Sequence, residues 1–400
     1  MDTGELKRRV DTYLARCEQE LIGVRRDLHM HPEVAFEEHR TTQVIVEFLQ
    51  AVGLRPWVLP SGTGVVCDIR GGDGPIVALR ADIDALAQVD TKTVPYRSTV
   101  ANAAHNCGHD VHTTIELGAG RFLAMLAEAG LLRGTVRLIF QPGEEFPGGS
   151  QNVIDAGALD GVERIFALHC DPTQEVGRLG LKTGGITASY TKVLIKATGR
   201  GGHTARPFET EDLITGLSKI AHDLPAVLAR RIDARLPHVL TWGRMTAGLT
   251  ANAIPPLGDL EGTLRCFHPQ TQEFALAEMR KIIVSMAEPF KIKVSMETPV
   301  DMPPTMNEAS SVEIFRDAGL VALGEDKVGG TEQSLGGEDF SLYLGLVKGA
   351  YARWGVRRPG APEYGLHHVG FDVDERCIAL GVRLMVFTAL RALDRSRSEA

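Results

Sequence analysis

The stretch PIVALRADID, residues 75–84, reads as a buried strand that runs straight into acid: four apolar positions, Ile76 to Leu79, are succeeded within five residues by Asp82 and Asp84. Three more runs have the same character, VVCDI (65–69), TVRLIF (135–140) and RIFALH (164–169). Near-continuous apolar strands alternating with helical stretches such as 113–128 predict an α/β fold whose mostly parallel sheet is covered by helices on both faces. Open sheets of this kind gather ligands at the carboxyl ends of their strands. The residues just beyond each run are therefore the informative ones: Asp82 and Asp84 after the first, QPGEE with Glu144 and Glu145 after TVRLIF, and His169 closing RIFALH.

A second cluster lies in NCGHDVHTT, residues 106–114, where Cys107, His109, Asp110 and His112 crowd together, and LHHVGFD (366–372) adds His367 and His368. Thiolate, imidazole and carboxylate together suit zinc or a similar divalent ion such as manganese, cobalt or nickel. A two-metal site roughly 3.5–4 Å across needs one bridging anion, a role open to Cys107. In a loop or extended segment Cys107 and His109 point the same way, which residues two apart on a helix do not. Adjacent Glu144 and Glu145 would repel unless their side chains diverge, so that one binds metal while the other serves as general base. Each element alone is ordinary: a pair of glutamates is usually a solvated turn, a lone His105 or His112 a loop residue, Asp82 a turn cap. Convergence on one sheet edge is what argues for chemistry.

A chain of 400 residues exceeds one simple core and predicts two domains. A net charge of −8 leaves no basic surplus to meet phosphates, which argues against nucleic acid or a membrane surface as partner and favours a small molecule. The start MDTGELKRRVDTYL has no apolar leader and no later run spans a bilayer, so a cytoplasmic protein is expected. Cysteines 17, 67, 107, 170, 266 and 377 show no framework spacing and read as free, buried or metal-bound. Residues 4–52 read as helices broken near His31–Pro32–Glu33. After about residue 188 the pattern becomes β-α-β-β-α-β, the order of a ferredoxin-like unit. The α/β pattern then resumes and ends in a helix over 377–393. The expected organisation is a catalytic domain in two parts, 1–187 and 301–400, with an inserted domain at 188–300.

The motifs NCGHDVHT, LRADIDAL, IFQPGEE, ALHCDP, GRGGHTA, TANAIP, GTLRCF, GGEDFS and LHHVGFDVDE, in this order, resemble the dinuclear metal-dependent amidohydrolases that include hippurate hydrolase, N-acyl-amino-acid amidohydrolase (aminoacylase) and indole-acetyl-amino-acid hydrolase. With HMHPEVAFEE at 29–38 the resemblance covers nearly the whole chain. It implies a zinc-peptidase-like catalytic domain with an inserted lid and dimerisation domain, and two divalent metal ions per subunit. Cys107 would bridge them, with His109, Glu145, His169 and His367 completing the ligands, Glu144 as general base, and Asp82 behind the site orienting a ligand. His203 would reach across a homodimer to stabilise the oxyanion, and with Asn252 and Arg265 would hold the substrate. A guanidinium suits a free carboxylate, although a strand arginine is also an ordinary salt-bridge residue. Ala87, Gln88, Asn106, Val111, Phe208 and Glu209 depart from the usual pattern and flank the site without removing a ligand or the base.

The expected function is hydrolysis of the amide bond of an N-acyl amino acid or related small, peptide-like amide. A dipeptidase or carboxypeptidase on the same scaffold needs the same metals and water. A non-catalytic metal or small-molecule binding protein would have lost a ligand or the base, and the sequence shows neither loss.

Overall fold

The computed structural model describes residues 2–399. Two compact units emerge, one comprising everything described up to Gly184, Asn307–Glu332 and the chain from Leu342 on, the other Gly185–Met306 and Gln333–Ser341.

The first unit is built on a sheet whose centre is four parallel strands in the order Thr135–Gln141, Ile76–Asp82, Val162–Glu175, Lys348–Arg357. Antiparallel neighbours flank this centre, Val65–Arg70 beside Thr135–Gln141 and Leu179–Leu181 beside Lys348–Arg357. Ile76–Asp82 and Lys348–Arg357 are buried at successive positions, which requires both faces of the sheet to be covered. The parallel register places Asp82 opposite Gln141 and Arg353 opposite His169, so the strand ends rich in acid and imidazole share one edge.

Thr3–Met30 is a helix because apolar residues recur every three or four positions, with Leu6, Val10, Tyr13, Leu14, Cys17, Leu21 and Leu28 buried. Asp2 caps it by accepting from the Gly4 N–H. It packs on the helices His109–Glu128 and Arg376–Glu399. The expected break falls where His31 and Pro32 stand, and a second helix, His39–Gln50, comes after it. The helix expected from residue 113 begins four residues earlier, at His109.

The second unit carries a four-stranded antiparallel sheet in the order His238–Ala247, Leu257–Cys266, Tyr190–Thr198, Lys293–Met302. The helices Leu213–Ala229 and Pro269–Ala287 complete the β-α-β-β-α-β order. Leu257–Cys266 alternates exposed or half-buried with buried residues, and its inward face joins Val193, Ile195, Leu217 and Met279 in a separate core. Among the described residues no helix is long and apolar enough to cross a membrane.

Candidate metal centre

The strand Ile76–Asp82 delivers two carboxylates, and each supports a different histidine. Asp82 Oδ1 accepts from His112 Nδ1 at 2.5 Å while its Oδ2 accepts from Arg80 at 2.6 Å. Asp84 Oδ1 accepts from His109 Nδ1 at 3.1 Å, and its Oδ2 accepts the Glu145 backbone N–H at 2.9 Å. The residue that orients the candidate ligand His109 is thus Asp84, since His109 Nδ1 lies 3.8 Å from Asp82, which orients His112. Asp82 ends the strand, whereas Asp84 lies two residues beyond it and reaches both His109 and the start of the glutamate pair.

Both nitrogens of His112 are engaged, since its Nε2 accepts the Cys170 N–H at 2.8 Å. It is a buried support with no lone pair left for an ion. His109 differs. Its Nδ1–H is taken by Asp84, and its buried Nε2 has no hydrogen-bond partner among the described residues. His169 donates from Nδ1 to the Cys170 carbonyl at 2.9 Å, which leaves Nε2 as the acceptor nitrogen, 3.5 Å from Cys107 Sγ. Fixing one ring nitrogen to present the other is the arrangement metal-binding histidines use.

Cys107 lies in a loop, and His109 opens the next helix, with Gly108 between them at φ +92°. The helical placement of His109 departs from the loop expected for both residues. Left-handed Gly108 makes the turn that lets neighbours on either side serve one site, and a Cβ there would meet Cys170 Sγ at 2.7 Å. The buried Glu145 Oε1 lies 3.9 Å from His109 Nε2 and pairs with His367 Nε2 at 3.0 Å. Glu144 Oε2 stands 3.9 Å from His109 Nε2. His367 adopts φ +64°, rare for a residue with a side chain, and its N–H donates to the Asn106 carbonyl at 2.8 Å. The neighbouring His368 instead stacks on Tyr364, with ring centroids 4.7 Å apart.

Among several groups of donor atoms within 4.8 Å of one another, Cys107–His109–His169 and Cys107–Glu145–His367 have Cys107 in common, and Asp82–His109–His112 and His109–Glu144–Glu145 adjoin them. Burial first, then the carboxylates of Glu145, Glu144 and Asp82, push the Cys107 thiol well above its ordinary range. Burial opposes charge on His109, yet Asp82 and Asp84 outweigh it and hold the ring up at about 10. Burial, reinforced by His112 and Arg353, keeps His169 neutral. A pocket of carboxylates around a thiol and unshared imidazole nitrogens is chemistry that a cation satisfies. The donor set fits divalent metal.

The model of peptidase family M20/M25/M40 matches residues 78–391, which takes in every one of these donors. The chain belongs to this family. Among its relatives, the N-acetyl-L-cysteine deacetylase of Bacillus subtilis is 35% identical over 384 residues, 95% of this chain and 90% of that protein. A dinuclear metal-binding M20 peptidase of B. subtilis, solved crystallographically, superposes with a TM-score of 0.84 at 31% identity, over 95% of this chain and 99% of that one. A Rhodococcus jostii protein bearing a glutamate–cysteine ligase name is 44% identical over 370 residues, and the M20 chain spans 46% of its length.

The residues carried by the second unit of this M20 chain fall in two places. His203 belongs to a two-residue strand, Gly202–His203, paired with Ala253–Ile254, and Thr204 donates to the Asn252 carbonyl at 3.2 Å. His203 and Asn252 are therefore neighbours, both exposed. Arg265 lies near the far end of Leu257–Cys266, roughly 26 Å from Leu257 at the usual strand rise. Its Nη1 donates to the Leu335 carbonyl at 2.7 Å and its guanidinium lies 5.0 Å from the Tyr190 ring centre, so it is anchored rather than salt-bridged. Asp84 is the functional residue that sequence reasoning left without a role. Its place two residues beyond the strand-ending Asp82 was the available signal.

Proposed function

We propose that this protein hydrolyses the amide bond of N-acyl amino acids, with Cys107, His109, Glu145, His169 and His367 holding two divalent ions and Glu144 acting as general base. The observation that carries the reading is the buried His109 Nε2, which has no hydrogen-bond partner among the described residues and lies 3.9 Å from Glu145 Oε1, itself 3.0 Å from His367 Nε2. Divalent ions bound there supply Lewis acidity, making water more acidic and polarising a carbonyl.

The chain's own groups do the rest. Asp84 fixes the His109 ring and the Glu145 backbone together, so that two ligands move as one body. Glu144 takes the proton of the attacking water and returns it to the departing nitrogen, as a single positioned base must do to end the cycle in the state in which it began. His112 and Asp82 brace the floor beneath. In the second unit, His203 and Asn252 would meet the substrate's oxyanion and polar groups, and Arg265 its carboxylate. In a homodimer, as the family resemblance implies, His203 would serve the neighbouring subunit's site.

Similarity to an N-acetyl-L-cysteine deacetylase supports small N-acyl amino acids, N-acetylcysteine first, as the substrates to assay. Similarity to a dinuclear M20 peptidase keeps dipeptides as the second class. Treatment with chelator should abolish release of free amino acid from N-acyl amino acids, and adding back zinc, manganese, cobalt or nickel should restore it. Full turnover by chelator-stripped protein would end the proposal.

A further inference from the structure

We propose that Asn106, with Lys92 and Gln88, is a positioning clamp that holds His367 in place, an inference that rests on the metal reading above. Asn106 is fully buried, and each of its polar groups has a partner. Its Oδ1 accepts from Lys92 Nζ at 3.1 Å, its Nδ2 donates to Gln88 Oε1 at 3.1 Å, and its N–H donates to the Ala104 carbonyl at 3.0 Å. Its own carbonyl receives the His367 N–H at 2.8 Å.

Lys92 is itself buried, and it is held by Asp90, whose Oδ1 takes both the Lys92 backbone N–H at 3.0 Å and the ammonium at 3.1 Å. The other Asp90 oxygen accepts the Ser98 N–H at 3.0 Å. The turn over residues 88–98 is thereby cross-braced, and it grips the Asn106 amide at both ends.

The consequence reaches the site through the backbone. His367 holds a left-handed conformation that only surrounding contacts can enforce. The Asn106 carbonyl is one of those contacts, and its direction is set by a residue whose side chain cannot rotate while Lys92 and Gln88 hold it. His109 and His169 are oriented independently, by Asp84 and by the Cys170 carbonyl. Loss of the clamp should therefore loosen Cys107–Glu145–His367 and spare Cys107–His109–His169. Alanine at position 106 would supply neither side-chain bond.

Calorimetric titration of the full chain with Zn2+ reads the two binding events separately. In Asn106→Ala one event should keep its wild-type affinity while the other weakens about 10- to 100-fold, the scale of lost support behind a ligand. His367→Ala should abolish that same event, identifying it. Gln88→Ala, at a half-buried position, should weaken it by a smaller factor, and Asn106→Asp, which keeps the acceptor for Lys92, should restore part of the loss. Two wild-type binding events in Asn106→Ala and Gln88→Ala would overturn the clamp alone, as would equal weakening of both events. Failure of the wild-type chain to bind a pair of ions would overturn the metal reading itself and the clamp with it.

Discussion

Asp84→Asn tests how the centre is held together, because the substitution keeps size and removes one acceptor. Asp84 serves two donors at once, His109 Nδ1–H at 3.1 Å and the Glu145 N–H at 2.9 Å. Asparagine offers one oxygen and one NH2 group, so one of these donors must face another donor. A buried donor left unpaired costs about 1–3 kcal/mol. Because the side chain is wholly buried, water cannot make up the loss. Both affected groups are candidate ligands, so the loss falls on metal affinity. Support of this kind behind a ligand is worth about 10- to 100-fold, or roughly 1.4–2.7 kcal/mol, which agrees with the cost of the lost hydrogen bond. Competition against a chelator measures it. Asp82→Asn is the control, since Asp82 touches His112 and buried Arg80 and only approaches His109. Disrupting that ion pair should lower folding stability by about 3–5 kcal/mol and shift the melting temperature far more than Asp84→Asn does. Zinc affinity unchanged in Asp84→Asn, or lowered more by Asp82→Asn in correctly folded protein, would refute the division of labour between the two aspartates.

Glu144→Ala should retain both ions by elemental analysis and lose about 10²- to 10⁴-fold in kcat, the contribution of a positioned general base; wild-type kcat would remove Glu144 from its role. Gly108→Ala should destabilise the fold by about 2–4 kcal/mol in denaturant melts, from the left-handed backbone and the overlap with Cys170 Sγ. Burial, with Asp84 adding to it, raises Glu38 from its ordinary 4.5 to about 7, although backbone donors including Gly143 pull the other way. The folded state thus favours the protonated acid, and the stability this contributes is complete below about 4.5 and is lost as pH rises through about 7. In chelated protein that loss should approach about 3 kcal/mol at 1.36 kcal/mol per pH unit, and Glu38→Gln, which keeps an acceptor for the Gly143 N–H, should flatten the profile between those values. An unchanged slope in Glu38→Gln would assign the pH dependence elsewhere.

The site is legible at the strand ends because placement there depends only on order along the chain. Apolar runs at 76–79, 135–140 and 164–168 had to become neighbouring buried strands, and their acidic and imidazole ends had to share an edge. Helix starts were less legible. The helix from His109 lacks a side-chain cap, its first residue coming directly after a left-handed glycine, so the usual signals pointed four residues too late. His112 reads in sequence like His109, three residues away, yet has both nitrogens occupied.

What the residues alone determined is the inventory: a parallel α/β core, an inserted β-α-β-β-α-β unit, and a thiol, imidazoles and carboxylates at places where such folds bind ligands. These depend on periodicity and chemical type, which are local properties. Tertiary structure decided which aspartate supports which histidine, which imidazole nitrogen is left unshared, and that Asn106 and Lys92 stand behind His367. Those assignments turn on differences of an ångström or less between side chains far apart in the chain, and hydrogen-bond strength falls away over that same distance.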